Sequence, residues 1–255
     1  MRNFPHITML DIMAKRMFVI GDIHGALRAL KQLLLKIDPC EEDKIIFLGD
    51  YVDGWSESAQ VIEYLIELDT TYNCLFIKGN HDIFCESWLN ETILDPNWKL
   101  KSGKLTIQSY ESFSSERKKV HLDFFSRMKY YHVDEYNRLF IHGGFTASNG
   151  PQSEQSKNNL TTDRTLWEIA VMMDSRIKKH SALYPKKLLL FNEIYIGHTP
   201  TLTYNSDLPM RACNVWNIDT GAGFTGSLSA LNIDTKKILQ SDKIPFLYPH
   251  ENGRN

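Results

Sequence analysis

The sequence predicts an α/β protein, because apolar runs and helix-like segments alternate through its first third and short strands return near its end. Residues 17–21 form a continuous apolar run typical of a buried strand, and 26–37 follow with apolar residues at helical spacing. The same step repeats at 44–48 and 58–68, and 73–78 supply a third strand. This alternation predicts a mainly parallel sheet with helices on its faces and functional residues beyond the carboxyl ends of its strands.

The second half of the chain has a different pattern. Residues 83–131 are predicted to be mostly helical, and the polar stretch 146–162 to be a long loop, a disordered surface segment rather than a lid. A helix is expected at 163–174, and short strands follow without long helices between them, which predicts antiparallel pairing in a second sheet. These strands occupy residues 194–196, 215–218, 227–233 and 237–240.

Composition narrows the possible classes of function. The chain has 255 residues, and a formal net charge of −2 provides neither the basic stripe of a nucleic-acid-binding protein nor a polybasic membrane anchor. The four cysteines lack a CxxC pair, which argues against a thiolate metal site and favours a reducing compartment. We find no signal peptide and no apolar run long enough to span a bilayer, so a cytoplasmic protein without nucleic-acid or membrane partners is expected.

Metal-capable side chains stand beside glycines at the ends of five predicted strands. Any one of them has an ordinary structural explanation, such as a turn aspartate that caps the following helix. Five such strand ends in one chain are hard to explain by coincidence, and they predict a metal or catalytic site at one edge of the sheet structure. The residues are Asp22, His24, Asp50, Asp53, Asn80, His81, His142 and His198.

The order of these motifs resembles that of the calcineurin-like metallophosphoesterases, and within them the serine/threonine phosphoprotein phosphatases. The resemblance extends from residue 17 to about residue 234. It implies a four-layer α/β/β/α sandwich, with two mixed sheets flanked by helices. We expect an extension at 1–16, a metallophosphoesterase domain at 17–243 with a helical insertion at 83–131, and a tail at 244–255. The motifs are GDIHG, GDYVDG, GNHD, HGG, GHTP and a trailing NIDTGAG.

The resemblance also implies a centre of two divalent metal ions. Two such ions about 3.5 to 4 Å apart clamp a phosphate and generate a bridging hydroxide for in-line attack on phosphorus. Only two of the implied ligands are anionic, so the centre keeps a positive excess that attracts phosphate. Nitrogen and oxygen donors without thiolates suit manganese, our expectation, and also iron or zinc. The ligands would be Asp22, His24 and Asp50 for one ion, and Asp50, Asn80, His142 and His198 for the other.

One position departs from the phosphoprotein phosphatase pattern. The resemblance makes His81 the catalytic acid, oriented by Asp53, and it places a phosphate-gripping arginine directly after that aspartate. Here the position is Gly54. We expect Arg164, after the polar loop, to replace the missing guanidinium, with Asn80 as a second substrate contact; the alternative is that Arg164 is a helix-surface charge.

Three functions are compatible with these residues. The leading expectation is a metal-dependent phosphatase that hydrolyses phosphomonoesters, with serine/threonine phosphoproteins or small phosphoesters as substrates. The alternative is a diadenosine tetraphosphate (dinucleoside polyphosphate) hydrolase, because related enzymes carry similar motifs, including GNHD. A non-catalytic phosphate-binding scaffold is disfavoured, because all implied ligands and His81 are present. The sequence leaves the oligomeric state open.

Overall fold

The computed structural model describes residues 15–92 and 97–254. It contains ten strands and eight α-helices within those ranges. The strands are β1 (Met17–Ile20), β2 (Lys44–Phe47), β3 (Asn73–Phe76), β4 (Tyr131–Val133), β5 (Arg138–Ile141), β6 (Glu193–Ile196), β7 (Met210–Ala212), β8 (Val215–Asn217), β9 (Ser227–Asn232) and β10 (Ile238–Lys243). The helices are α1 (Leu27–Ile37), α2 (Ser58–Thr71), α3 (Asn80–Leu89), α4 (Lys104–Ser109), α5 (Ser115–Arg127), α6 (Lys157–Thr162), α7 (Thr165–Met172) and α8 (Ile244–Leu247).

The first sheet has the strand order β10-β9-β1-β2-β3. Its first three strands in the chain are parallel, with Val19 beside Ile46 and Ile46 beside Leu75. The late strand β9 pairs antiparallel with β1, and β10 pairs antiparallel with β9. The sheet is therefore mixed, and β1, which carries the first motif, lies at its centre.

The second sheet has the order β4-β5-β6-β8-β7. The expectation that the late strands form one antiparallel sheet was wrong. Strands β5, β6 and β8 are parallel to one another, and β9 and β10 belong to the first sheet. The chain between β5 and β6 contains α6 and α7 and is long enough for a parallel crossover, which short strand spacing alone did not reveal.

Successive side chains of each strand point to opposite faces of its sheet. They form three apolar layers, one between the two sheets and one between each sheet and its helices. In β5, Phe140 faces the other sheet and stacks on Tyr195 with ring centroids 5.1 Å apart, whereas Leu139 and Ile141 face the helices of the second sheet. In β1, Val19 faces the inter-sheet layer, and its neighbours on the strand face α1 and α2. The predicted α/β sandwich of two mixed sheets flanked by helices is confirmed.

The polar stretch 146–162 is ordered, which corrects the expectation of a disordered segment. Glu154 accepts hydrogen bonds from the backbone N–H groups of Thr146 and Ala147 and from the Asn159 side chain. A short 3-10 turn and α6 complete the segment. Its polar residues form hydrogen bonds with one another. Composition alone does not reveal such pairing, and it therefore suggested disorder.

Residues 244–254 of the predicted tail pack against the body of the protein. Tyr248 stacks on Trp55 with ring centroids 5.2 Å apart, and both side chains are buried. Residues 1–14 of the predicted extension lie outside the described residues; Arg16 pairs with the buried Asp43. In the described parts of the chain, we find no helix with the length and apolar character needed to cross a bilayer.

Candidate metal centre and active site

The carboxyl ends of strands from both sheets meet at one edge of the sandwich. Turns after β1, β2 and β3 carry the first three motifs, and turns after β5 and β6 carry the two later histidines. Four of these side chains belong to non-glycine residues with left-handed backbone conformations, which cost energy and cluster at functional sites. They are His24 (φ 51°), Asp50 (φ 53°), Asp53 (φ 67°) and His198 (φ 68°).

Asp22, His24 and Asp50 form the first group of candidate ligands. One ligand atom from each lies within 4.8 Å of the others, and all three side chains are buried. His24 Nε2 is 3.8 Å from Asp22 Oδ2 and 3.7 Å from Asp50 Oδ2. His24 Nδ1 lies 3.0 Å from the Val52 carbonyl, which can only accept a hydrogen bond. Nδ1 therefore carries the proton, and the Nε2 lone pair faces the carboxylates.

Asp50, His142 and His198 form the second group, again within 4.8 Å of one another. His142 Nε2 is 3.3 Å from Asp50 Oδ2 and also 3.3 Å from Asn80 Oδ1. His142 Nδ1 donates to the Leu48 carbonyl at 2.8 Å, so Nε2 faces the site. The His198 Nε2 atom is buried and has no hydrogen-bond partner among the described residues. A buried nitrogen of this kind normally has a partner, and a metal ion would supply one.

Charge balance also fits bound cations. Burial disfavours the protonated form of His142, but Asp50 and Asp22 outweigh it and raise the pKa of His142 to about 10. The site thus holds a positive charge between its carboxylates, which is the charge that metal ions would provide. Burial lowers the pKa of His24 well below its usual value and that of His198 to about 3. Both imidazoles are therefore neutral, the form that binds metals.

His81 stands beside the first group and is held by a buried carboxylate. Its Nδ1 atom lies 2.7 Å from Asp53 Oδ2, and its ring makes an edge contact with His24, with centroids 5.1 Å apart. Asp53 is fully buried and also accepts hydrogen bonds of 2.6 Å from Trp98 Nε1 and Thr106 Oγ1. These contacts fix the carboxylate, and the carboxylate orients the imidazole, so His81 Nε2 is the nitrogen available for proton transfer.

Two buried carboxylates in the site were missed by the sequence interpretation. Asp82 Oδ2 accepts from the backbone N–H groups of Asp50 and Gly79, both at 2.8 Å, and so joins the turns after β2 and β3. Burial raises the pKa of Asp82 to about 7 and that of Asp219 to about 6. Asp219 adds to the burial that raises the pKa of Asp22 well above its usual value. Its position after β8 matches that of Asp22 after β1, a signal available in the sequence.

Two arginines approach the site from different sides. Arg164 stands directly before α7 with an exposed side chain, and its charge contributes to the low pKa of His198. Arg254 was not considered as a site residue from the sequence; its Nη1 atom lies 3.0 Å from His24 Nε2. A cleft of about 720 Å³ opens beside Arg254 and Gly54. Its other lining residues are Leu100, Lys101, Ser102, Leu105, Phe224 and Gly253.

Related proteins share this architecture along most of their length. The bis(5'-nucleosyl)-tetraphosphatase PrpE [asymmetrical] of Oceanobacillus iheyensis is 25% identical over 246 residues, covering 90% of this chain and 93% of that protein. The protein of the same name from Bacillus thuringiensis is 27% identical over 253 residues, covering 90% and 95%.

Solved structures agree on the fold. A crystal structure provisionally assigned as a diadenosine tetraphosphatase superposes with a TM-score of 0.61 at 16% identity, covering 90% of this chain and 94% of that one. The family model described as calcineurin-like phosphoesterase matches residues 15–220. That match includes every strand end that contributes a candidate ligand, and the chain therefore belongs to the calcineurin-like phosphoesterase family.

Proposed function

We propose that this phosphoesterase hydrolyses dinucleoside polyphosphates, with a pair of divalent metal ions held at the meeting point of the strand ends. The observation that carries the metal-dependent reaction is the shared carboxylate Asp50, which belongs to both candidate ligand groups. The substrate class is supported by relatives that align along at least 90% of both chains and are named bis(5'-nucleosyl)-tetraphosphatases. They favour this reading over the phosphoprotein phosphatase expected first.

The chain's own residues divide into two metal-holding sets. The ions would supply charge that neutralises the phosphate and makes a water molecule more acidic. The predicted metal is manganese, although the nitrogen and oxygen donors also suit iron or zinc. Asn80 is proposed for both of its expected roles: its Oδ1 atom lies 3.3 Å from His142 Nε2, and its neutral amide adds no negative charge against a phosphate. The proposed ligands are Asp22, His24 and Asp50 for one ion, and Asp50, Asn80, His142 and His198 for the other.

His81 is the proposed general acid. Hydrolysis adds the oxygen of water to phosphorus and breaks the bond from phosphorus to the leaving oxygen. A proton delivered to that oxygen helps most when the leaving group is strongly basic, as an alkoxide is. Asp53 holds the imidazole by Nδ1, so Nε2 faces the site and can deliver that proton. In a dinucleoside tetraphosphate the leaving group is itself a nucleotide, and asymmetric cleavage of diadenosine tetraphosphate gives ATP and AMP.

The first prediction concerns the shared carboxylate. Asp50→Asn should lower bound manganese at least about tenfold and abolish turnover, because it removes the one anionic ligand common to both ions. Metal content after manganese loading and dialysis is measured by elemental analysis. Asp174→Asn, which changes an exposed carboxylate paired with Arg176, is the matched control and should retain its metal. Full metal content in Asp50→Asn would refute the shared-ligand assignment.

The second prediction separates proton transfer from metal binding. His81→Ala should keep its manganese and lower kcat by about 10² to 10⁴-fold for substrates with poor leaving groups. The loss should be smaller for nitrophenyl phosphate, whose leaving group needs no proton. Kinetics are compared at equal metal content. An equal loss for good and poor leaving groups would contradict the role of general acid.

The third prediction tests Arg164 as a phosphate contact on the His198 side. Arg164→Ala should raise KM for a phosphomonoester by about tenfold or more, since a charge-assisted contact is lost. Arg176→Ala removes another exposed guanidinium, in the loop after α7, and should leave KM unchanged. An unchanged KM in Arg164→Ala would mark this residue as a surface charge.

The fourth prediction concerns the substrate. With manganese, kcat/KM for diadenosine tetraphosphate should exceed that for phosphoserine peptides and nitrophenyl phosphate by at least about tenfold, equivalent to ~1.4 kcal/mol of transition-state binding. Products are separated by ion-exchange chromatography, and ATP with AMP is expected. Faster turnover of the phosphopeptides would restore the phosphoprotein reading. No turnover of any of these substrates would favour the non-catalytic scaffold.

A further inference from the structure

The space beside Gly54 is filled from a distant part of the chain. Gly54 has φ 134°, and a Cβ atom there would lie 2.9 Å from the His24 carbonyl oxygen and 3.2 Å from Arg254 Cγ. A side chain at position 54 is therefore strained by the backbone conformation and by the His24 carbonyl, and the Arg254 side chain lies directly beside it. The arginine that the resemblance places at position 54 is absent, and another arginine occupies the adjoining space.

The segment 248–254 holds Arg254 in this place through the residues next to Gly54. Glu251 accepts hydrogen bonds from Ser56 N at 2.9 Å and from Ser56 Oγ at 2.7 Å. Tyr248 stacks on Trp55, and Arg254 N donates to the Gly223 carbonyl at 2.8 Å. The backbone from Tyr248 to the Arg254 N–H is thus anchored, which lowers the entropic cost of using the guanidinium in binding.

The guanidinium itself is oriented toward the candidate metal centre. Its Nη1 atom is 3.0 Å from His24 Nε2, and its centre lies 5.2 Å from the Phe224 ring centroid. Within residues 15–92 and 97–254 it forms no salt bridge with a carboxylate, although its charge acts to lower the pKa of the buried Asp219. An arginine held this close to an anion-binding centre, with its planar donors unused by a carboxylate, has the geometry to contact a phosphate.

Arg254 also lies where the metal centre meets the cleft. Lys101 lines the same cleft and adds a second positive charge, while Leu100 and Phe224 provide apolar surface. A phosphate chain that begins at the metal centre and continues into the cleft would meet Arg254, which contacts both. Two positive charges together with apolar surface suit a polyphosphate that carries a base.

The geometry points to Arg254 as the phosphate-contacting arginine of this enzyme, delivered by segment 248–254 in place of a side chain at position 54. This inference rests on the metal-dependent phosphoester hydrolysis proposed above, and it does not depend on which phosphoester is the natural substrate. It differs from the expectation for Arg164, which lies on the His198 side. The two arginines can be tested separately.

The test measures binding of orthophosphate to the manganese-loaded protein by titration calorimetry. Metal content and KM for nitrophenyl phosphate are measured on the same samples. Arg254→Met should weaken orthophosphate binding and raise KM by about tenfold or more, with manganese content unchanged. Arg254→Lys should recover only part of the affinity, because an ammonium group lacks the planar fork. Arg211→Met is the matched control, since Arg211 likewise stacks on an aromatic ring, Trp216, with 5.5 Å to the centroid.

Each outcome bears on the inference directly. Unchanged orthophosphate affinity in Arg254→Met would overturn it, as would equal losses in Arg211→Met. Tighter manganese binding with faster turnover in Arg254→Met would also overturn it, since Arg254 would then block the His24 ligand atom. If the wild-type protein prefers phosphopeptides but Arg254→Met still loses orthophosphate affinity, the substrate proposal fails and the role of Arg254 stands.

Discussion

The position of the Asp50 carboxylate is the constraint on which the whole site depends. The Asp50 carbonyl accepts from the backbone N–H groups of Ile23 and His24, at 3.0 and 2.9 Å, which ties it to the turn after β1. Its own N–H donates to Asp82, and its Oδ1 atom accepts from His81 N at 2.9 Å, which ties it to the turn after β3. Three turns of the first sheet are therefore joined by hydrogen bonds. The Asp50 Oδ2 atom faces both ligand groups, at 3.7 Å from His24 Nε2 and 3.3 Å from His142 Nε2.

The second sheet is held against that unit by contacts of the same kind. His142 reaches across the sandwich, because its Nδ1 atom donates to the Leu48 carbonyl at the end of β2. The His198 N–H donates to Asp22 Oδ2 at 3.1 Å, so a residue after β6 is joined to one after β1. At the β2–β3 edge, a Cβ atom on Gly79 would collide with the Asp50 carboxylate, which explains the glycine before Asn80. The contacts that pack the two sheets together therefore also position the candidate ligands.

The parts of this arrangement that are local in sequence were predictable. Each of the five short apolar runs that end near a Gly beside Asp, His or Asn folds as a strand and a turn, so the strand ends and their side chains could be predicted directly. The partnership of β9 with β1 could not, because β-alternation gives a strand its faces but not its neighbours. Asp82 was missed since its role is to accept backbone hydrogen bonds, which leaves no spacing signature. Arg254 was missed because it is separated from His24 by 230 positions.

The choice of substrate depends on what surrounds the metal centre rather than on the centre itself. Any phosphate monoester or diester end can meet two cations, so the ligands alone carry little selectivity. The cleft of about 720 Å³ beside Arg254 is within the usual size of a small-molecule site, roughly 300 to 1,000 Å³. A phosphoprotein would approach through a broader surface of about 800 Å² on each partner. A cleft lined by Lys101 and Arg254 as well as by Leu100 and Phe224 offers positive charge and apolar surface together, the combination that the proposed dinucleoside polyphosphate substrate would need.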